Sequence, residues 1–305
     1  MKQLAILFFI TFSLFSCKEN KEEAQAVLSE SNGKINNVSI IIDDNLWNGE
    51  IGDSIRKKFA APVDGLPQEE PLFTLNQYPT KVFEGFVRKS RNIIIVKKDT
   101  KTGFSSNNNV YAKPQNVFLV SGKTTEDVLK VLEEKSAEII KTVKSAEIIE
   151  NQLRMKKSLV SDDKVQKMFG VSLEIGFGFK YDMVKDNFIW LRKEFSSGYN
   201  SILIYQVPIE KVEKDTNIIA NITAMRDEIG KANIHGTLPN TWMITEAAYA
   251  PYLFDVIVAG KKTYLTKGTW ELKNDFMAGP FFYYTPKKNK KKSFFIFEGF
   301  TFKSS

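Results

Sequence analysis

Histidine and cysteine are almost missing from this chain, with His235 and Cys17 the single examples in 305 residues. One cysteine excludes an intramolecular disulfide, and one histidine excludes a metal site built from several imidazoles. No Gly-x-Ser-x-Gly elbow accompanies His235, so a serine triad has no seat for its nucleophile. Gly176-x-Gly178 lacks the third glycine and the following helix of a dinucleotide fingerprint, and no P-loop occurs. The segment from Asn233 to Pro239 around His235 reads as an ordinary helix-to-strand connection. These absences leave no catalytic residue, no cofactor and no metal to assign by motif.

What is present begins at the N-terminus. MKQLAILFFITFSLFSC is a lysine-led apolar stretch that ends in Ser16-Cys17. Its apolar run, Leu4 to Phe15, is shorter than the ~20 residues of a bilayer-spanning helix and has the form of an export signal. A small residue before a cysteine at that boundary is the form of a lipoprotein signal, with residues 1–16 removed and Cys17 carrying lipid. Two or three acyl chains at about 0.8 kcal/mol per buried CH₂ suffice to hold a folded domain at a membrane. Residues 17–35, rich in charge and ending in Ser29, Ser31, Asn32 and Gly33, read as a polar tether. No aspartate follows the cysteine, which favours outer-membrane delivery, with the periplasmic or surface-facing side left open.

The net charge is +7, and loss of residues 1–16 removes only Lys2, leaving +6. Five lysines lie at 287, 288 and 290–292, between two aromatic strands, and read as a solvated hairpin tip. Nucleic-acid binding would need basic residues spread over a face with aromatics between them, so no nucleic-acid partner is expected.

Apolar residues at 43%, with 24 phenylalanines, supply a real core. Strands are predicted at 37–43, 72–78, 82–87, 92–97 and 117–120, with a helix over 45–59 broken near Gly49. The polar 103–109 stretch separates strands. Thr124 and Asp127 predict a capped helix start, followed by apolar residues every three or four positions to Leu153. KSAEII occurs at 135–140 and again at 144–149. The second copy faces roughly opposite the first, so this helix should be covered on two sides or break. A short helix over 162–169 leads into an alternating strand, Val171 to Phe179. Further strands follow at 188–192, 201–207, 241–245, 253–258, 262–266, 270–274 and 294–302, with a helix over 217–232. The fold class is α+β, with antiparallel or mixed sheets, a helical region at 124–169 and a long covering helix.

Phe83-Glu84-Gly85-Phe86 recurs as Phe297-Glu298-Gly299-Phe300. Both copies read as aromatic strands, each with one phenylalanine in the main core and one under a second layer, and with the glutamates facing water. Two related lobes would produce the repetition. Should the copies line a cleft instead, Glu84 and Glu298 become binding candidates. Trp47 is a third, because Asp43, Asp44, Glu69 and Glu70 flank it and carboxylates beside an aromatic platform suit a sugar cleft. Glu246 beside Tyr249 and Tyr252, and Asp275, are loop or strand-end candidates of the same kind.

The lipoprotein signal together with DDNLW, GLPQEEPLF, SRNIIIV and WELKNDFMAGPF followed by FEGF resembles the DUF4837 family, a domain of unknown function found mainly in lipoproteins of Bacteroidetes. The resemblance runs from about Asn36 to Phe302. It implies an outer-membrane lipoprotein and brings no catalytic residue with it. A cell-envelope module that binds a glycan, a peptide or an envelope protein, or serves structurally, is thereby favoured over turnover. The alternative is a two-carboxylate hydrolase of envelope or surface polysaccharide. Nothing in the sequence sets the oligomeric state.

Fractionation of wild type beside Cys17→Ala checks the anchor. The variant is expected in the soluble fraction; equal membrane retention would show that something other than lipid on Cys17 holds the protein there.

Overall fold

The computed structural model describes residues 28–66, 69–286 and 293–303. The signal segment, Cys17, most of the tether and the lysine tip lie outside the described residues.

The N-terminal lobe comprises β1 (Asn37–Ile41), α1 (Asp44–Trp47), α2 (Glu50–Phe59), β2 (Thr74–Tyr78), α3 (Gly85–Arg88), β3 (Asn92–Lys98), β4 (Gly103–Asn108), β5 (Asn116–Gly122) and α4 (Thr125–Lys156). Its strands run in the order β2-β1-β3-β5-β4, parallel except for β4 at the edge. Parallel strands covered on both faces read as continuous apolar runs, as NIIIV in β3 and NVFLV in β5 do. One face, with Ile40, Ile94 and Phe118, packs under Ile51, Ile55 and Phe59 of α2 and Leu132, Ile139 and Val143 of α4. The other, with Ile41, Ile93 and Val117, lies against Phe83 and Val87.

α4 starts at the predicted capping box. Thr124 Oγ1 accepts from the Asp127 amide, and Asp127 accepts from the Thr124 amide, both at 3.2 Å. Its sheet-facing stripe ends in a charge. Glu147, 2% exposed, accepts from Arg91 at 2.6 Å, from Asn92 at 2.7 Å and from the Asn36 amide at 2.6 Å. Arg91 also donates to the carbonyls of Gly33 and Lys34. Backbone bridges Glu30↔Lys113 and Asn32↔Ser90 hold the same segment. Residues 29–34, assigned to the tether on composition, are therefore part of this lobe.

The C-terminal lobe comprises β6 (Leu159–Val160), α5 (Asp163–Phe169), β7 (Ile175–Gly176), β8 (Lys180–Lys185), β9 (Phe188–Phe195), β10 (Gly198–Pro208), α6 (Ile218–Asn233), β11 (Trp242–Thr245), β12 (Tyr252–Val258), β13 (Lys261–Lys273), β14 (Ala278–Pro286) and β15 (Ser293–Lys303). The antiparallel sheet runs β11-β13-β14-β15-β10-β9-β8, and β12 also pairs with β13. α6 covers one face, over Tyr205, Trp270, Tyr283 and Phe300, and α5 covers part of the other, over Ile189, Ile204 and Phe297. The end of α4 reaches this lobe: Lys156 pairs with Glu174 at 3.0 Å and Met155 packs against Gly176.

The α+β class and the long helix are as expected, but several elements differ. α4 neither breaks nor is covered twice. In the second KSAEII copy Glu147 takes the buried seat and Ile148 and Ile149 stay exposed, because the lobe is bonded to the carboxylate. The polar 103–109 stretch is a strand, since an edge strand pairs through its backbone whatever its side chains are. From Val171 to Phe179 the burial alternates up to Ile175, yet only β7 pairs with a neighbour, and Phe177 is exposed. The first FEGF copy is not a strand. Gly85 at φ 48 is left-handed, which ends any extended run and opens the single turn of α3. The second copy lies in β15, where Phe300 enters the main core and Phe297 the opposite layer, as strand alternation requires. With one sheet mostly parallel and the other antiparallel, the two lobes are not copies of one unit.

Burial opposes ionisation of Glu147, but its bonds to Arg91, the Asn36 amide and Asn92 outweigh that and hold its carboxyl below the ordinary range. Glu147→Ala leaves Arg91 buried without its partner and is expected to destabilise by about 3–5 kcal/mol in urea titrations. A lowered folded-state pKa stabilises above the unfolded pKa and loses this as pH falls through the folded value. The gap between wild type and variant should therefore narrow on acidification, and a pH-independent gap would show that Glu147 is not held ionised.

Candidate functional site

The three residues marked from sequence do not converge. Trp47 ends α1 half-buried, with the Arg56 guanidinium 4.5 Å from its ring centroid and donating to its carbonyl, so it offers no open platform. Glu84 is exposed at the start of α3, as expected. Glu298 is not in water. It is 1% exposed on the α6 side of the sheet, accepting from Arg226 at 2.8 Å and from the Tyr205 hydroxyl at 3.2 Å. Arg226 also donates to Thr245 and lies 3.9 Å from the Phe281 ring centroid. Burial pushes the Glu298 carboxyl above its ordinary range against the pull of Arg226. The signal for this was one step away in sequence: Glu298 shares a strand face with the core residue Phe300, so it had to point inward.

Asp43 accepts from the Thr80 amide and Asp44 from Gln77, so both brace the turn after β1. Glu69 and Glu70 are exposed. Asp275 accepts from the next amide in the β13–β14 turn. His235 sits in the α6–β11 connection with Nε2 3.0 Å from the Lys231 carbonyl. Among the described residues no group of three His, Cys, Asp or Glu is placed to hold a metal, and no helix is long and apolar enough to cross a membrane.

The feature with the geometry of a site lies at the seam between the lobes. Pro62 and Pro71 form a bridge, backed by the Val63 amide to Glu70 and the Leu72 amide to Ala61, and this throws Asp64-Gly65-Leu66 across the outer face of the C-terminal sheet. Two cavities meet under Gly65 and Leu66. One, of about 200 Å³, has Lys267, Phe282 and Thr301 in its wall; the other, of about 380 Å³, runs along Tyr249, Tyr252 and Thr269. Tyr249 is 68% exposed, and Tyr252 stacks on Phe254 at 6.3 Å with 12° between the rings. Gly299 keeps the smaller cavity tight. A Cβ there would fall 2.3 Å from the Phe282 ring and force it to move.

The electrostatics run along β13. Burial, and then the nearby charge of Lys144 on α4, push the Lys267 ammonium below its ordinary pKa, with Asp64 opposing. Four residues on, Glu271 is on the same face of the strand. Thr245 and Trp270 are paired and face the core, so their neighbours Glu246 and Glu271 both face outward. Burial and the Glu246 charge together raise the Glu271 carboxyl. Sequence reasoning marked Glu246, Tyr249 and Tyr252 but missed Lys267 and residues 64–66, because their meeting depends on how the lobes dock.

Glu298→Ala is expected to lower stability by about 3–5 kcal/mol by stranding Arg226, whereas Glu84→Ala should stay within about 0.5 kcal/mol. Equal effects in thermal or urea unfolding would refute this division.

No curated protein and no solved structure matches the chain. Residues 31–156 match the family model of a domain of unknown function, DUF8532, and residues 158–305 that of another, DUF4837. The boundary falls between α4 and β6, at the division between the lobes. DDNLW, GLPQEEPLF and SRNIIIV thus lie in the DUF8532 half, and the DUF4837 match is narrower than the segment resemblance suggested. The C-terminal lobe is thus similar to the DUF4837 family and the N-terminal lobe to the DUF8532 family, both domains of unknown function.

Proposed function

We propose that this chain is an outer-membrane lipoprotein, held through Cys17, whose interlobe groove binds a glycan of the cell envelope without turning it over. The observation that carries the reading is the groove itself. An open channel beneath residues 64–66 presents Tyr249, Tyr252 and Phe282 as exposed ring surface. Sites at the junction of two folded units, apolar with a few placed polar groups, are where ligands bind most often. Sugars stack on such rings, and among the described residues Asp64 is the one carboxylate in the walls of the two cavities. The lysines at 261 and 262, and those between Pro286 and Ser293 in the sequence, suit a weak contact with anionic headgroups, which would fade with salt.

A second reading rests on Glu246 and Glu271. A raised carboxyl beside a second one is the pairing a glycosidase uses for acid and base, and it stands just beyond Thr269 at the end of the larger cavity. Against it, the two glutamates are neighbours on one sheet face and do not confront each other across the groove.

Tyr249→Ala and Tyr252→Ala, titrated with oligosaccharides released from envelope polysaccharide, test the first reading. Each is expected to weaken binding about tenfold, at about 1–1.5 kcal/mol per lost ring contact, while unfolding midpoints stay unchanged because both side chains are exposed. Unaltered affinity in both variants would remove the groove from consideration. New reducing ends in the same incubations, abolished by Glu271→Gln, would establish the hydrolase instead.

A further inference from the structure

We infer that the outer edge of β12 is a docking site for an extended peptide segment of a partner protein, which adds a strand to the C-terminal sheet and places a lysine or arginine opposite Asp255. Such a site is independent of the groove and does not require that a glycan bind there.

β12 reads YLFDVIV, seven residues without glycine, proline or lysine, and all but Asp255 are apolar or aromatic. It pairs with β13 residue for residue from Tyr252↔Lys267 to Val258↔Lys261, without a bulge. Among the described residues no strand pairs with its other side. In an antiparallel ladder alternate residues turn both N–H and C=O to the same side, so about half of these groups face outward. Every residue of β12 but Val256 is exposed, Ile257 to 75%.

Exposed sheet edges are normally blunted by charges, proline, bulges or short length, because a bare edge recruits another strand. The opposite edge of the same sheet follows that rule. β8 has Lys180, Asp182 and Lys185 among its six residues, and its register shifts between Tyr181 and Met183. β4, an edge of the N-terminal sheet, is polar, with Ser105, Ser106, Asn107 and Asn108. β12 has a single device, the carboxylate at its centre. Were a second copy of the chain to pair antiparallel in full register, Asp255 would face the same aspartate, and like charges directly opposite destabilise. A shift of one residue would interchange the faces, and a larger one leaves the strand ends unpaired. The centre of β12 is thus set against self-pairing and in favour of a cation. An ionised carboxylate accepts from several donors, so Asp255 can take this one beside the contact it already makes.

The two faces specify the rest of the partner. Tyr252, Phe254, Val256 and Val258 share the outer face, and Leu253, Asp255 and Ile257 the other. A strand with β-branched or aromatic residues opposite the first set, and a basic residue at the middle of the second, matches both. In strand addition main-chain bonds supply the attraction and alternate side chains the selectivity. A saccharide presents no ladder of amides and carbonyls, so a peptide is the class that fits.

The test follows the labelled peptide Val-Thr-Val-Lys-Val-Thr-Val by fluorescence anisotropy against the full mature chain. Beside it run the same peptide with glutamate for lysine, one with prolines for the two central valines, and sedimentation velocity of the protein alone. Wild type is expected to bind the lysine peptide about tenfold more tightly than the glutamate peptide, and the proline peptide, which lacks two ladder donors, about tenfold more weakly than the lysine peptide. Asp255→Lys, at an exposed position, should reverse the preference between lysine and glutamate peptides with its unfolding midpoint unchanged. Failure of the lysine peptide to bind, or equal binding of the proline peptide, would overturn strand addition. An unreversed preference in Asp255→Lys would overturn the pairing of a cation with Asp255. A wild-type dimer that dissociates in Ile257→Lys would give the edge to a second copy and overturn the peptide assignment.

Discussion

The ion pair between Arg91 and Glu147 is the constraint on which the N-terminal lobe depends. It joins four pieces of chain that are far apart in sequence: the entering segment at Gly33–Asn36, the start of β3, the start of β5 through Asn92 and Asn116, and the third quarter of α4. A long helix lying on a sheet through apolar contacts alone can slide or rotate by a ridge at small expense. A carboxylate with three donors at one position cannot. The rotation of α4 is thereby set, and with it the places where Lys144 and Met155 meet the second lobe.

The C-terminal lobe repeats the device with different parts. Arg226 reaches from α6 to Glu298 in β15, with Tyr205, Thr245 and Phe281 completing its surroundings. Replacing such a pair with matched apolar side chains is often neutral or stabilising, whereas removing one partner is strongly destabilising. Its value lies in excluding other arrangements, since only one rotation of α6 places the guanidinium against that carboxylate.

Much of this was legible in the sequence. Apolar runs at 92–97 and 117–120 announced buried strands, the Thr124–Asp127 pair announced the start of α4, and the helical spacing of Ile222, Met225 and Ile229 announced α6. What failed did so for identifiable reasons. Pattern reading assigns a glutamate to water, so Glu147 was invisible as a core residue until Arg91, 56 positions away, was placed beside it, and Glu298 was sent to water although it shares a strand face with the core residue Phe300. The FEGF repeat misled because four identical residues say nothing of backbone conformation, and Gly85 takes a left-handed turn that Gly299 does not. The aromatic part of the candidate site was marked by Tyr249 and Tyr252. Its charged part was not, because Asp64 and Lys267 come from segments whose approach is a property of the docked lobes.

The clipping of residues 29–36 has a mechanical consequence. For a chain held at its N-terminus, any tension from the membrane enters through this segment. It meets the bridges to Lys113 and Ser90 and the Arg91 and Glu147 bonds before it reaches β1, itself bonded on both edges to β2 and β3. The force is taken up at the ends where the parallel strands begin. The loop that roofs the groove lies further along the chain, after α2, outside the path such a pull would take.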